Sequence, residues 1–332
     1  MFVVVFGVSV LIFSILMTFS PERRAAVYVR SPQQAQNLPQ LVESLGLNDP
    51  FYIQYFRWVK ELTHFNLGYS VVAARPVWDA FKSFLPVTLE LNLYSVPIMI
   101  IVGIWLGTIS GIYHDTYIDH ITRIFAIIFW SLPTFLFALI LLMIFYGYFE
   151  VFSPGIISDA YSVYIHDNPD KYTQYTHLLT IDGILNGRFD IAWDAAKHLF
   201  LPVVTQVMVI IALLLRVMRS SMIEETSKDY IMTARAKGAD KKTINFKHAR
   251  KNALIPVVTV AGWLAAFSMS GSIEVEVIFT RQGLGWWLAN AAIQLDIPVI
   301  MAMCMFMGII IVTANLAVDI LYAYIDPRIR LS

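Results

Sequence analysis

Few residues in this sequence have the type and spacing that chemistry would need. A nucleotide phosphate is cradled by the backbone amides of a Gly-x-x-x-x-Gly-Lys-Ser/Thr loop, and no such run occurs. A zinc hydrolase needs helix-spaced histidines, but His64, His114, His120, His166, His177, His198 and His248 are scattered through or beside polar segments. The single cysteine, Cys304, lies in an apolar run, which excludes an internal disulfide and a thiolate cluster and fits a small buried side chain. Catalysis and cofactor are therefore both read as none. What remains are charges inside apolar runs, which are costly in hydrocarbon and often functional. Asp319 follows Asn315 by four residues, so both share a helix face, and a contact with a neighbouring helix is preferred to a substrate role. Glu274 and Glu276 stand near the end of another apolar run, within expected reach of water, and are candidates for an outer gate.

The elements that must position these groups follow from composition. Of 332 residues, 58% are hydrophobic and 14% charged, and the mean hydropathy of +0.63 points to a bilayer as solvent. With 24 basic and 24 acidic residues no bulk field marks a nucleic-acid binder. A hydrocarbon core of about 30 Å takes about 20 helical residues. Apolar runs of about that length predict six spans, at Phe2 to Thr18, Leu89 to Ile112, Ile121 to Tyr148, Leu199 to Met218, Pro256 to Ile278 and Pro298 to Tyr322. The runs are continuous rather than alternating, so the expected fold class is all-α, a polytopic membrane protein. The first run lacks a basic flank and a cleavage site and reads as a retained helix.

Orientation follows from lysine and arginine near the span ends. Between Arg219 and Lys251 stand Arg219, Lys228, Arg235, Lys237, Lys241, Lys242, Lys247, Arg250 and Lys251, against Glu224, Glu225, Asp229 and Asp240. That loop is expected in the cytoplasm with Arg328, Arg330 and both termini, leaving 20–86 and 150–198 outside. Both outer segments are rich in aromatics and are expected to hold short helices at the membrane surface, either as interface anchors or as a dock for an external protein.

The stretch Glu225 to Pro256 reads as two short helices. Ser227 would cap the first, which ends at Gly238; Asp240 would cap the second, which runs to about Ala253 before Pro256 interrupts it. Tyr230, Ala234 and Gly238 recur every four residues, a face on which another protein could pack closely. Charge alone would equally allow a solvated loop that only fixes topology.

The wording DYIMTARAKG followed by KHARKNALIP resembles the cytoplasmic loop of binding-protein-dependent ABC importer permeases of the dipeptide and oligopeptide branch. In the wider superfamily it is the EAA loop, with Met232, Thr233 and Ala234 at the named positions and Gly238 as the glycine. The likeness extends to LGLNDPFYIQYF, NLGYS, RPV, LPVTLEL, EVIF with GLG, and NLAVDILYAYIDPRIR. It departs at Ser20, Pro21 and Glu22, where the family has a Pro-Gly-Asp-Pro turn, and at Gln282, where a proline is frequent. The resemblance implies a type I importer permease fold in a prokaryotic inner membrane. Residues 1–88 would be the first span and outer segment, 89–322 the transmembrane domain, with an outer insertion at about 150–198 and a coupling loop at about 219–255, and 323–332 the tail. It further implies half of a two-permease pore, as a heterodimer, with two ATP-binding subunits and an extracytoplasmic substrate-binding protein. Tyr230, Thr233, Ala234, Arg235, Ala236, Lys237 and Gly238 would then couple to the ATPase. Peptides are the expected cargo, with oligosaccharides and nickel as alternatives. A proton-coupled transporter or a channel would also fit the hydropathy, but neither internal repeats nor buried ionisable relays are evident.

Overall fold

Apolar runs without alternation fold as helices because the backbone then satisfies its own hydrogen bonds. The computed structural model, which describes residues 2–25 and 38–325, is accordingly helical, with two short paired strands among the described residues. Arg328 and Arg330 lie outside them, as do residues 26–37 of the first outer segment.

In chain order come α1 (Phe2–Leu16), α2 (Pro21–Ala25), α3 (Leu38–Ser44), α4 (Phe51–Thr63), strands β1 (Tyr69–Ser70) and β2 (Arg75–Pro76), α5 (Val77–Ile112), α6 (Tyr117–Ser131) and α7 (Thr134–Leu141). Then follow α8 (Asp159–Asp167), α9 (Leu179–Leu185), α10 (Phe189–Thr226), α11 (Asp229–Ala236), α12 (Arg250–Met269), α13 (Ile273–Ile278), α14 (Leu284–Ile293) and α15 (Ile297–Ile325). Segments Leu142–Tyr148 and Thr243–Ala249 are wound as π-helix. The strands pair antiparallel, Tyr69 opposite Pro76.

The span count differs from the expected six. Val77–Ile112, Phe189–Thr226, Thr243–Ile278 and Ile297–Leu321 are each long and apolar enough to cross, and a bent pair makes a fifth. The first apolar run falls short, because α1 has 15 residues and so reaches about 22 Å of a core of about 30 Å. The run Ile121 to Tyr148, expected as one span, breaks at Leu132 and Pro133 with a bend of 98°. Proline disfavours helical backbone in the residue before it, and Leu132 is extended at φ −86°, ψ 120°. Pro256, expected to end a helix, sits inside α12 instead. The last helix also runs three residues into the expected tail, to Ile325.

The chain forms two compact units. The first comprises Met1–Leu89, Asp159–Ala192 and Met269–Val312. Within it α1 docks through Ile12, Phe13 and Leu16 onto Tyr55, Trp58 and Met301, with a 2.8 Å hydrogen bond between the Ser9 and Tyr55 hydroxyls. Trp287 is fully buried in a second core with Val77, Phe84 and Val299.

The other unit comprises Glu90–Ser158, Trp193–Ser268 and Thr313–Ser332. Its centre is a seam in which Gly103, Gly107 and Gly111 of α5 oppose Leu214, Met218 and Met222 of α10. Both sets recur every four residues, one helix turn, so the rows stay aligned. A Cβ added at Gly103 or Gly107 would stand 2.8 or 2.5 Å from the Cβ of Leu214 or Met218. Small residues let helices approach this closely, and in lipid such packing replaces the hydrophobic effect as the source of association. The opposite face of α5 carries exposed Ile98, Ile101 and Trp105, and α6 exposes Ile121, Ile124 and Ile128, as contact with lipid requires.

Replacing Gly107 by Leu is expected to cost about 3 kcal/mol through overpacking of the seam. Gly147→Ala, whose added Cβ would have its nearest neighbour 3.9 Å away, should leave stability unchanged. Thermal unfolding of the two variants in detergent measures the difference.

Candidate functional site

The loop after α10 does not start as expected. Ser227 Oγ donates to Glu224 O at 2.7 Å, so its hydroxyl closes α10, and Lys228, in extended backbone, occupies the N-cap of α11. The acid in the first turn, Asp229, compensates by favouring the helix dipole. The end is as the sequence implies: Gly238 has φ +83°, a conformation that side chains rarely adopt. Asp240 then accepts from Thr243 N at 3.3 Å, and Thr243 holds its carboxyl below the usual range. From there helical winding continues through Pro256 without a stop.

Facing also differs from expectation. Tyr230 and Ala234 pack with fully buried Ile231 against the core of their own unit, beside Met222, Ile244 and Ala253, so this face is not free for a partner. Only Gly238 of that row is exposed. The outward face carries Met232, Thr233, Arg235, Ala236 and Lys237, all exposed. The inner face is fastened at two points. Tyr230 Oη donates to Glu225 Oε2 at 2.5 Å and accepts from Asn252 Nδ2 at 3.0 Å, while Lys228 Nζ donates to Glu225 Oε1 at 2.5 Å. Burial and the Glu225 carboxylate raise the Tyr230 phenol above its ordinary pKa, so it stays a donor. One phenol thus ties α11 to the end of α10 and the start of α12.

A second joint lies nearby in the same unit. Arg219 grips Asp119 with Nε on Oδ1 at 2.6 Å and Nη2 on Oδ2 at 2.7 Å, the bidentate geometry that makes such pairs strong. Ser110 Oγ adds 2.6 Å to Oδ1 and Asp115 N adds 3.0 Å to Oδ2. Asp119 is fully buried, and its four hydrogen bonds supply what a buried carboxylate needs. Arg219, which the charge pattern places in the loop, is therefore part of a helix joint that links the ends of α5, α6 and α10. Sequence reasoning missed this group and the glycine seam; a four-residue glycine period in an apolar run was the available signal.

In the first unit Glu276 is fully buried, not reached by water. Its Oε2 accepts from Gly285 N at 2.8 Å and Trp286 N at 3.0 Å, and its Oε1 accepts from Thr88 Oγ1 at 2.8 Å. Thr88 Oγ1 in turn accepts from Leu284 N at 2.8 Å, so the amides of the first turn of α14 are satisfied by a carboxylate and a hydroxyl. Arg281, also fully buried, is close enough to act on it electrostatically. Glu276 thus holds a helix start, while Glu274 is exposed. Asn315 and Asp319 are exposed on α15, as is Cys304, whose apolar setting had suggested burial.

Glu276→Ala is expected to cost about 3 kcal/mol, since it strands the buried donors Gly285 N, Trp286 N and Thr88 Oγ1, whereas Glu274→Ala should be near neutral. A thermal unfolding series in detergent decides between this structural role and a gate, for which both variants would keep their stability.

The profile of the family described as binding-protein-dependent transport system inner membrane component matches residues 100–331. The chain is 35% identical over 328 residues to the Probable D,D-dipeptide transport system permease protein DdpB of Escherichia coli K12, covering 98% of this chain and 94% of that one. It is 34% identical over 331 residues to the dipeptide transport system permease protein DppB of Alkalihalophilus pseudofirmus, with 98% and 96% covered. Against the oligopeptide transport system permease protein AppB of Bacillus subtilis it is 33% identical over 328 residues, with 98% and 95% covered. Apolar crossing helices and a match over most of the chain lead to one statement: the chain belongs to the binding-protein-dependent transport system inner membrane components, as a multi-pass permease subunit.

Proposed function

We propose that this permease imports di- or oligopeptides as one half of a heterodimeric pore, driven by two cytoplasmic ATP-binding subunits and fed by an external substrate-binding protein. The observation that carries the reading is the two-faced helix α11. Its outer face, with Met232, Thr233 and Ala236, is open to a partner, while its inner face is fastened to two spans through Tyr230. A push on such a helix passes to α10 and α12 as a rigid-body motion, the form that alternating access takes. ATP biases that equilibrium only by binding one state better. Peptide cargo is supported by relatives named for dipeptide and oligopeptide transport. A second permease subunit is supported by Asn315 and Asp319, whose exposed polar groups in an apolar span call for a polar neighbour. The basic segment from Lys228 to Lys251 supports placing α11 in the cytoplasm, with residues 150–198 outside.

Four measurements test this reading. A reporter fused after Gly238 should be active only in the cytoplasm; activity outside would reverse the orientation. Ala236→Trp should insert normally yet lose co-purification of the ATP-binding subunits. Tyr230→Phe, by contrast, should retain them while uptake falls, since it removes hydrogen bonds worth about 1 kcal/mol each from the inner fastening; normal uptake by both variants would leave the loop as a topology signal only. For cargo, ligand titration of the binding protein should show peptides bound tightly, and tight binding of a cellodextrin without any peptide would exclude them.

A further inference from the structure

The ends of α5 and α10 and the helical turn that begins at Thr243 enclose a cavity of about 860 Å³ in the second unit. Its wall is divided by chemistry. Arg235, Lys241 and Lys242 contribute cations, whereas Ile112, Ile223 and Phe246 contribute apolar surface. No carboxylate lines it. Among the described residues none of these three cations forms an ion pair. Of the nearby acids, Asp119 is engaged by Arg219 and Glu225 by Lys228 and Tyr230, while Asp240, beside Lys241, lies outside the cavity lining and accepts from the amide of Thr243. The cavity lining therefore carries three cations and no anion.

Position adds the second argument. Ile109 and Ile112 belong to the last turn of a crossing helix, so the cavity opens where hydrocarbon gives way to headgroups. A free anion would use the cations and leave the part-exposed Ile112 and Ile223 and the half-exposed Phe246 against water. An acidic protein surface would leave the same side unfilled. An anionic amphiphile uses both sides at once, which is how basic pockets between spans hold lipid headgroups. We propose that this cavity binds an anionic phospholipid, its phosphate held by Arg235, Lys241 and Lys242 and its glycerol end lying along Ile112, Ile223 and Phe246. Because Arg235 lies on α11 and both lysines at the start of the next helix, the lipid bridges the two elements and makes their spacing sensitive to bilayer composition. The inference goes beyond the importer reading, and its assay reads lipid binding without uptake, so failure of one leaves the other standing.

The test titrates the detergent-purified full chain with dioleoyl phosphatidylglycerol, with dioleoyl phosphatidylcholine and, separately, with inorganic phosphate, counting bound lipid by native mass spectrometry. Phosphatidylglycerol should bind saturably and at least tenfold more tightly than phosphatidylcholine. The double variant Lys241→Gln, Lys242→Gln should weaken it about thirty-fold, while Lys241→Arg, Lys242→Arg keeps it. Both lysines are exposed, so folding should survive either change. Equal binding of the two lipids, or undiminished phosphatidylglycerol binding by the glutamine variant, would overturn the proposal. Displacement of the lipid by millimolar inorganic phosphate would also overturn it, in favour of a free-anion site. So would loss of the ATP-binding subunits from the glutamine variant with lipid binding intact, which would mark the cations as a protein contact.

Discussion

Close approach of two helices governs everything at the loop end of the second unit. Because Gly103, Gly107 and Gly111 present no side chain to Leu214, Met218 and Met222, α5 and α10 lie against each other with their turns in step. Gly111 and Met222 are the last matched pair, and the joints follow within a few residues: Ser110 reaches Asp119, Asp119 meets Arg219, and Glu225 receives Tyr230. A shift of one residue along the seam would turn each of these groups by about 100° around its helix axis and separate them. The polar joints are thus specified by apolar geometry. Their desolvation is tolerable because every partner arrives in place.

The first unit solves a similar problem differently. There a helix start, α14, is buried with its amides pointing into protein, and Glu276 and Thr88 supply the acceptors that water cannot. Charge in that interior is a structural means of ending one helix and beginning another, and proximity in sequence to exposed Glu274 says nothing about it. Alternating residues on a short helix face opposite ways, so one glutamate meets solvent and the other the core.

Hydrophobic run length made the crossing helices legible, since lipid demands it regardless of partners. Helix ends were legible where a single residue decides the backbone, as at Gly238 and Asp240. Prolines were not: Pro133 breaks its helix, whereas Pro202 and Pro256 lie inside theirs. The rule at each is the same, and the outcome depends on packing that no local pattern carries. Facing failed for a related reason. A four-residue period identifies a face of α11 but not its occupant, and the small residues that suggested a partner pack on the protein's own core. Residue spacing alone also cannot say that Arg219 belongs to a pair with Asp119, 100 positions earlier.

The break at Leu132 and Pro133 bears on biosynthesis. Each arm of the broken span, Tyr117–Ser131 and Thr134–Tyr148, is about 22 Å long when helical, too short to cross by itself. The first arm also carries Asp119, whose guanidinium partner has not yet been translated when that arm leaves the ribosome. A carboxylate in that position is costly to place in hydrocarbon without the guanidinium that arrives 100 residues later. The set of four hydrogen bonds on Asp119 is thus complete only once α10 is in place, so the packing of this arm depends on a helix 100 residues further along the chain.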